Sequence, residues 1–208
     1  MVHHAHGVTA DYKIDAYRLA QLGFNVLVPS LFNMFGVPGT NAHRPGRRAA
    51  GQALRRRVPR QDGPRPGSTS SIEWAPIPAR TAAIGHCMGG RLLDSVRGRS
   101  IRGCARSSST TLRVRDEPET SHRPRHAFKL ARTLKCASLV FCGGKDFIAT
   151  PAIQGPLWES FMANGQPVEW HAFSDANHGF RHPDNDGFQP HYADLTWPIV
   201  TDFLLRRV

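Results

Sequence analysis

A sharp turn, Gly85-His86-Cys87-Met88-Gly89, constrains the fold of this chain more than any other feature. It follows a short apolar segment, residues 81–85, and precedes a helix-like segment, residues 88–96. A strand-to-helix turn with a nucleophile between two glycines holds that nucleophile exposed at the carboxyl end of a sheet. The glycines are needed because side chains there would collide with the crossing strand and helix. The pattern therefore predicts a catalytic thiol at Cys87, with the backbone N–H of Met88 donating to a developing oxyanion.

Strand and helix patterns alternate along the rest of the chain. Apolar residues at helical spacing predict helices over residues 8–22, 151–164 and 192–205. Short apolar or alternating segments predict strands over residues 24–28, 81–85, 137–142 and 168–173. Alternating strands and helices imply an α/β fold, a mostly parallel sheet with helices on both faces. We therefore predict a single domain over residues 1–208.

Two arginine-rich segments interrupt this alternation. The net charge of the chain is +11, and residues 41–66 and 91–135 carry +7 and +8 of it, so the remainder is net acidic. Neither segment has a sustained period of 2 or 3.6, and both are rich in Pro, Gly, Ser and Arg. We predict irregular or disordered segments near 41–78 and 97–127, which are either insertions or out-of-frame translation of a GC-rich gene.

The basic charge does not by itself predict a specific nucleic-acid partner. No aromatic residue is interleaved between Arg44 and Arg65, and no nucleic-acid recognition motif is present. The sequence has no apolar run near the roughly 18 residues of a membrane span and no signal-peptide pattern at its start. The cysteines lack paired spacing, which favours reduced thiols. We expect a cytoplasmic protein that binds neither membranes nor, specifically, nucleic acids.

Candidate partners for Cys87 follow two later strands. Asp146 ends the segment G-G-K-D, and His178 lies in D-A-N-H-G-F; Asp175 competes with Asp146 as the acid. Both segments come at the carboxyl ends of predicted strands, where open α/β sheets bind their ligands. The order nucleophile, acid, histidine is that of the α/β-hydrolases.

Three motifs, G-H-C-M-G-G-R, F-C-G-G-K-D and H-G-F, together resemble the dienelactone hydrolase family, whose members are also called carboxymethylenebutenolidases. Residues 18–29 resemble the helix and strand that precede the active site in that family, and the likeness covers roughly residues 3–35, 80–93 and 135–205. It implies an α/β-hydrolase fold and a small-molecule lactone or ester substrate. It also implies a thiol acyl-enzyme formed by Cys87, Asp146 and His178, with no metal or cofactor.

The chain departs from the family pattern near its start and after the histidine. The family has further strands before the position of Met1, so we expect an amino-terminal truncation. A family glutamate that interacts with the resting thiol is replaced by His4, and the backbone near Ala5 would supply the second oxyanion donor. Arg181 is the plausible counterpart of a substrate-binding arginine, one position too early. We expect a monomer.

Two alternatives remain open. The truncation and the basic segments would also fit a catalytically inactive remnant of such a hydrolase, and the charge would fit a polyanion-binding protein. The cluster His3-His4-x-His6 suggests a metal site, but no carboxylate or cysteine nearby in the sequence completes a ligand set. We therefore predict no metal.

Overall fold

The computed structural model describes residues 1–34, 81–91 and 126–208, and the backbone of residues 107–108. The predicted irregular segments near 41–78 and 97–127 lie almost wholly outside the described residues. The helices are α1 (Ala10–Gln21), α2 (Leu31–Met34), α3 (Ala127–Ala131), α4 (Pro151–Met162) and α5 (Pro190–Arg207). The strands are β1 (Ser107–Ser108), β2 (Ser138–Gly143) and β3 (Val168–Phe173). Residues 88–91 are also helical.

The described strands form one parallel sheet in the order β1-β2-β3. Strand β2 pairs with β3 along its whole length, from Ser138 opposite Val168 to Gly143 opposite Phe173. Parallel pairing brings the carboxyl ends of both strands to the same edge of the sheet. The loops that carry Asp146 and His178 therefore start side by side.

Strand β2 is buried on both faces, and its alternate side chains enter two separate hydrophobic clusters. Leu139 and Phe141 pack in one cluster with residues of α1 and α5, whereas Val140 and Cys142 pack in the other with residues of α3 and α4. Fully burying side chains of this size stabilises the fold by roughly 1.5–3 kcal/mol each. The two clusters confirm the predicted α/β class, with helices on both faces of a parallel sheet.

The predicted helices over 8–22, 151–164 and 192–205 and the strands over 137–142 and 168–173 are confirmed within a few residues. The helix predicted over 88–96 is described, and helical, only through residue 91. No helix among the described residues has both the length and the apolar character needed to cross a bilayer.

Two strand predictions are wrong, because each segment has single backbone hydrogen bonds, from Met1 to Leu27 and from Val2 to Ile84, but no continuous ladder among the described residues. Residues 24–28 have no assigned secondary structure; Phe24 and Val26 pack against the core and Leu27 is exposed, but no described strand lies beside them. Residues 81–85 form a single bridge, between Val2 and Gly85. Alternating or apolar side chains indicate which face is buried, whereas a strand also needs a neighbour that supplies a hydrogen-bonded ladder.

Candidate active site

Cys87 lies on a strained turn that crowds its two flanking glycines. Apart from glycines, it is the one described residue with a positive φ, +53°, a conformation that costs of order 1 kcal/mol or more for an L-residue. A Cβ on Gly89 would lie 2.1 Å from the carbonyl oxygen of Val2, and one on Gly85 would lie 2.6 Å from the carbonyl carbon of Gly89. Gly89 is thus crowded by the backbone of Val2 and His3, and Gly85 by the backbone of Gly89 and Gly90, which explains why only glycine fits on either side of the cysteine.

The helix after Cys87 begins directly at the thiol. The N–H of Arg91 donates to the carbonyl of Cys87 at 3.2 Å, so Met88 is in the first helical turn. The first N–H groups of a helix have no partner within it, and they carry the positive end of the helix dipole. The N–H of Met88 therefore lies at the positive end of this helix, next to Cys87.

The loops after β2 and β3 bind each other and bring an acid and a histidine together. The N–H groups of Gly144 and Lys145 donate to the carbonyls of Phe173 and Ala176, at 2.7 and 3.0 Å. Beyond this junction, Oδ2 of Asp146 lies 2.8 Å from Nδ1 of His178. Both side chains are buried, with exposed fractions of 5% and 4%.

The carboxylate of Asp146 fixes the orientation of the imidazole. Its Oδ1 accepts the N–H groups of Ile148 and Ala149 at 2.7 and 2.8 Å, which leaves Oδ2 for His178. Because an ionised carboxylate only accepts hydrogen bonds, Nδ1 of His178 carries the proton and Nε2 points away from Asp146. Among the described residues, this buried Nε2 has no hydrogen bond of normal geometry.

His178 is a stronger base than an ordinary histidine. Burial disfavours the charged ring, but the hydrogen bond to Asp146 and the neighbouring Cys87 thiol outweigh it and raise the pKa of His178 to about 9. A hydrogen bond and a charge interaction with Cys87 both contribute to this rise in the pKa. A basic imidazole can accept the proton of a neighbouring thiol during attack, and the thiolate is the nucleophilic form of cysteine.

Cys87 and His178 line one pocket of about 230 Å³. The lining includes Cys87, His178, Ala5 and Phe147. Phe147 is largely exposed, and its ring centre lies 6.0 Å from that of His178. The thiol, the imidazole and the loop that contains Ala5 thus face one cavity of the described structure.

The model of the dienelactone hydrolase family matches residues 1–207 of the chain. The chain belongs to the dienelactone hydrolase family. Family membership means that this chain is a carboxylic ester hydrolase of the dienelactone hydrolase type.

Solved structures agree on the fold. A candidate dienelactone hydrolase from Klebsiella pneumoniae is 18% identical, with a TM-score of 0.74 over 98% of this chain and 84% of that one. A dienelactone hydrolase-like promiscuous phosphotriesterase from metagenomic libraries is also 18% identical, with a TM-score of 0.63 over 99% and 84%. At this identity they show the α/β-hydrolase fold alone. None of the curated protein sequences matches this chain significantly.

Two residues considered for this dienelactone hydrolase site do not reach the pocket. Asp175 is exposed and accepts a hydrogen bond from the hydroxyl of Tyr192, so Asp146 and not Asp175 binds His178. The guanidinium of Arg181 is buried, with its Nη2 atom 3.8 Å from Oδ2 of Asp15, and it lies over the ring of Trp197. Because Arg181 points into the contact with α1, its position does not favour the predicted role in substrate binding.

The dienelactone hydrolase site also contains a histidine that the sequence did not single out. Nδ1 of His182 donates to the carboxylate of Asp11, at the start of α1, and His182 lines the pocket together with His4. The N–H of His4 donates to the hydroxyl of Tyr12 at 2.9 Å. The only signal for His182 was its place four residues after His178, a spacing that has no defined meaning outside a helix.

Proposed function

We propose that this chain hydrolyses a small lactone or carboxylic ester through a Cys87 thiol acyl-enzyme, with His178 as the base and Asp146 as its orienting acid. The observation that carries the proposal is the buried Asp146–His178 hydrogen bond beside the strained turn of Cys87. The high pKa of His178, to which Cys87 contributes, supports the pairing of imidazole and sulfur.

In the first half of the proposed reaction, Nε2 of His178 takes the proton of the Cys87 thiol as the sulfur attacks the carbonyl carbon. The N–H groups of Met88 and Ala5 stabilise the oxyanion that forms. The carbon–oxygen bond of the ester or lactone then breaks, and His178 returns the proton to the leaving oxygen. A thioester on Cys87 remains.

In the second half, water attacks the thioester and His178 accepts one of its protons. The carbon–sulfur bond breaks, the carboxylic acid leaves, and the sulfur recovers its proton from His178. Asp146 stays ionised throughout, because its role is to hold the Nδ1–H of His178 and to stabilise the imidazolium. The reaction uses groups of this chain and water only.

The pocket supports a small substrate. Its volume of about 230 Å³ is below the roughly 300–1,000 Å³ of pockets that enclose drug-sized ligands. A short acyl group or a small lactone ring fits such a volume, whereas a long acyl chain would have to extend past Phe147.

Steady-state hydrolysis of p-nitrophenyl acetate by the full chain tests the proposal. We expect Cys87→Ala to lower kcat/KM by at least about a thousandfold. Cys142→Ala serves as the control, because Cys142 is buried in the cluster around β2, where burial raises the pKa of its thiol.

The Cys142→Ala variant should retain activity within a few-fold as long as thermal unfolding shows that it is folded. Unchanged turnover in Cys87→Ala would disprove the proposal. A wild-type chain that unfolds cooperatively but shows no hydrolysis would favour the inactive remnant instead.

A further inference from the structure

A cluster of histidine rings surrounds Tyr12 beside the pocket. The ring centres of His4 and His182 lie 5.0 Å apart at an interplanar angle of 82°, and those of His86 and His182 lie 4.3 Å apart. The sequence offered no carboxylate near His4, but the fold supplies one: Asp11 from α1 meets His182 from the loop after β3. Residues distant in the sequence thus converge here.

We propose that His4, Asp11 and His182 form a binding site for a divalent ion of the Zn²⁺ type. Each offers one ligand atom, and these atoms lie within 4.8 Å of one another. All three residues are buried, with exposed fractions of 3%, 9% and 2%. Two imidazoles and a carboxylate are a common donor set of zinc sites that keep a further position open.

The arrangement of the rings fits one shared ion. With Zn–N bonds of about 2.0–2.1 Å and a tetrahedral angle between them, the centres of two imidazoles lie roughly 5 Å apart. The observed separation of His4 and His182 is 5.0 Å. In addition, Nε2 of His4 is buried without a hydrogen-bond partner among the described residues. A bound ion would give this nitrogen a partner.

Binding requires specific local changes. Nδ1 of His182 and Oδ2 of Asp11 already converge on one proton, and the ion would replace that proton. His4 would bind through Nε2, which means that its proton leaves Nε2 and that the contact from the N–H of His6 to Nδ1, now 3.1 Å, is given up. Separations between ligand atoms, which are now at most 4.8 Å, must become roughly 3.3 Å for a tetrahedral site, so Nδ1 of His182 and Oδ2 of Asp11, now in direct contact, must move apart.

The second oxygen of Asp11 is held independently of the ion. The hydroxyl of Thr9 donates to Oδ1 of Asp11, a contact that can persist when Oδ2 binds a metal. Such outer hydrogen bonds orient ligands and commonly change metal affinity by about 10–100-fold. His4 and His182 also line the pocket, so the open position of the ion would be accessible to its contents.

Zn²⁺ titration of the full chain by isothermal calorimetry tests the site. Every protein carries Cys87→Ala, so that the thiol contributes no metal binding and the result does not depend on the proposed hydrolysis. We expect one bound Zn²⁺ per chain, at least about tenfold weaker binding in Asp11→Asn and His182→Ala, and no change in His191→Ala, the control at an exposed histidine. Mg²⁺, which prefers oxygen ligands, should not bind.

Affinity equal to that of the parent in both Asp11→Asn and His182→Ala would overturn the proposal, as would the absence of Zn²⁺ binding. Thermal unfolding without metal shows whether the variants are folded. If they are not, the visible spectrum of the Co²⁺-loaded parent decides. Intense absorption of a tetrahedral site supports the assignment, and the weak absorption of octahedral Co²⁺ contradicts it.

Discussion

Replacing Asp146 by asparagine separates the chemical role of the acid from its structural role. The asparagine Oδ1 can still accept the N–H groups of Ile148 and Ala149, now at 2.7 and 2.8 Å. The amide nitrogen, however, would face Nδ1 of His178 as a donor. His178 must then carry its proton on Nε2, where it can no longer accept the proton of Cys87.

The expected loss of activity follows from this change of tautomer. The rise in the pKa of His178 from 6.5 to about 9 corresponds to roughly 3 kcal/mol of stabilisation of the imidazolium, shared between Asp146 and Cys87. Because the imidazolium loses this stabilisation and His178 also carries its proton on the wrong nitrogen, we expect Asp146→Asn to lower kcat/KM by about 10³–10⁴-fold. Stability should fall much less, by about 1–2 kcal/mol, because one hydrogen bond is lost.

Ester hydrolysis, urea unfolding and the NMR titration of His178 measure these effects together. Asp175→Asn is the matched control, since Asp175 contacts Tyr192 and not His178; its activity should stay within about twofold. The pKa of His178 should decrease in Asp146→Asn and remain unchanged in Asp175→Asn. Full activity in a folded Asp146→Asn protein, or a loss of activity in Asp175→Asn, would refute the assignment of the acid.

Three further predictions concern stability. Gly89→Ala should destabilise the fold by more than about 2 kcal/mol, because its Cβ would lie 2.1 Å from the carbonyl oxygen of Val2. Gly155→Ala, in α4 with nothing within 4 Å of the new Cβ, should instead stabilise it by about 0.4–1 kcal/mol in urea unfolding. The raised pKa of His178 stabilises the fold below pH 6.5, and this contribution is lost as the pH rises through about 9. The wild type should therefore lose up to roughly 3 kcal/mol more than His178→Gln between these pH values, and parallel pH profiles would contradict this.

Much of the fold follows from local sequence pattern. Strand β2 can be predicted because it is a continuous apolar segment whose side chains are all buried. Helices α1, α4 and α5 can be predicted because their apolar residues recur at helical spacing. Residues 24–28 have a similar apolar pattern but no described strand beside them. Backbone pairing depends on the whole fold, so a pattern of side chains does not predict it. The glycines flanking Cys87 are predictable because backbone crowding leaves no choice of residue.

The candidate site is predictable only where its residues belong to a motif. Asp146 and His178 directly follow strands, so parallel pairing brings them together, and the structure has them 2.8 Å apart. The pair Asp11 and His182 spans most of the chain and depends on how α1 packs against the loop after β3. The place of Arg181 depends on packing in the same way, because its guanidinium lies beside Asp15 of α1, a contact that the sequence pattern does not show.

Mass spectrometry of the protein quenched during turnover of p-nitrophenyl acetate tests the central claim most directly. The proposed mechanism predicts one acetyl group per chain, as a thioester on the peptide that contains Cys87, formed in a burst and lost at the rate of turnover. The buried Cys136 and Cys142 should remain unmodified. Continued hydrolysis with no acetyl group on Cys87, or with the acetyl group on another residue, would contradict it.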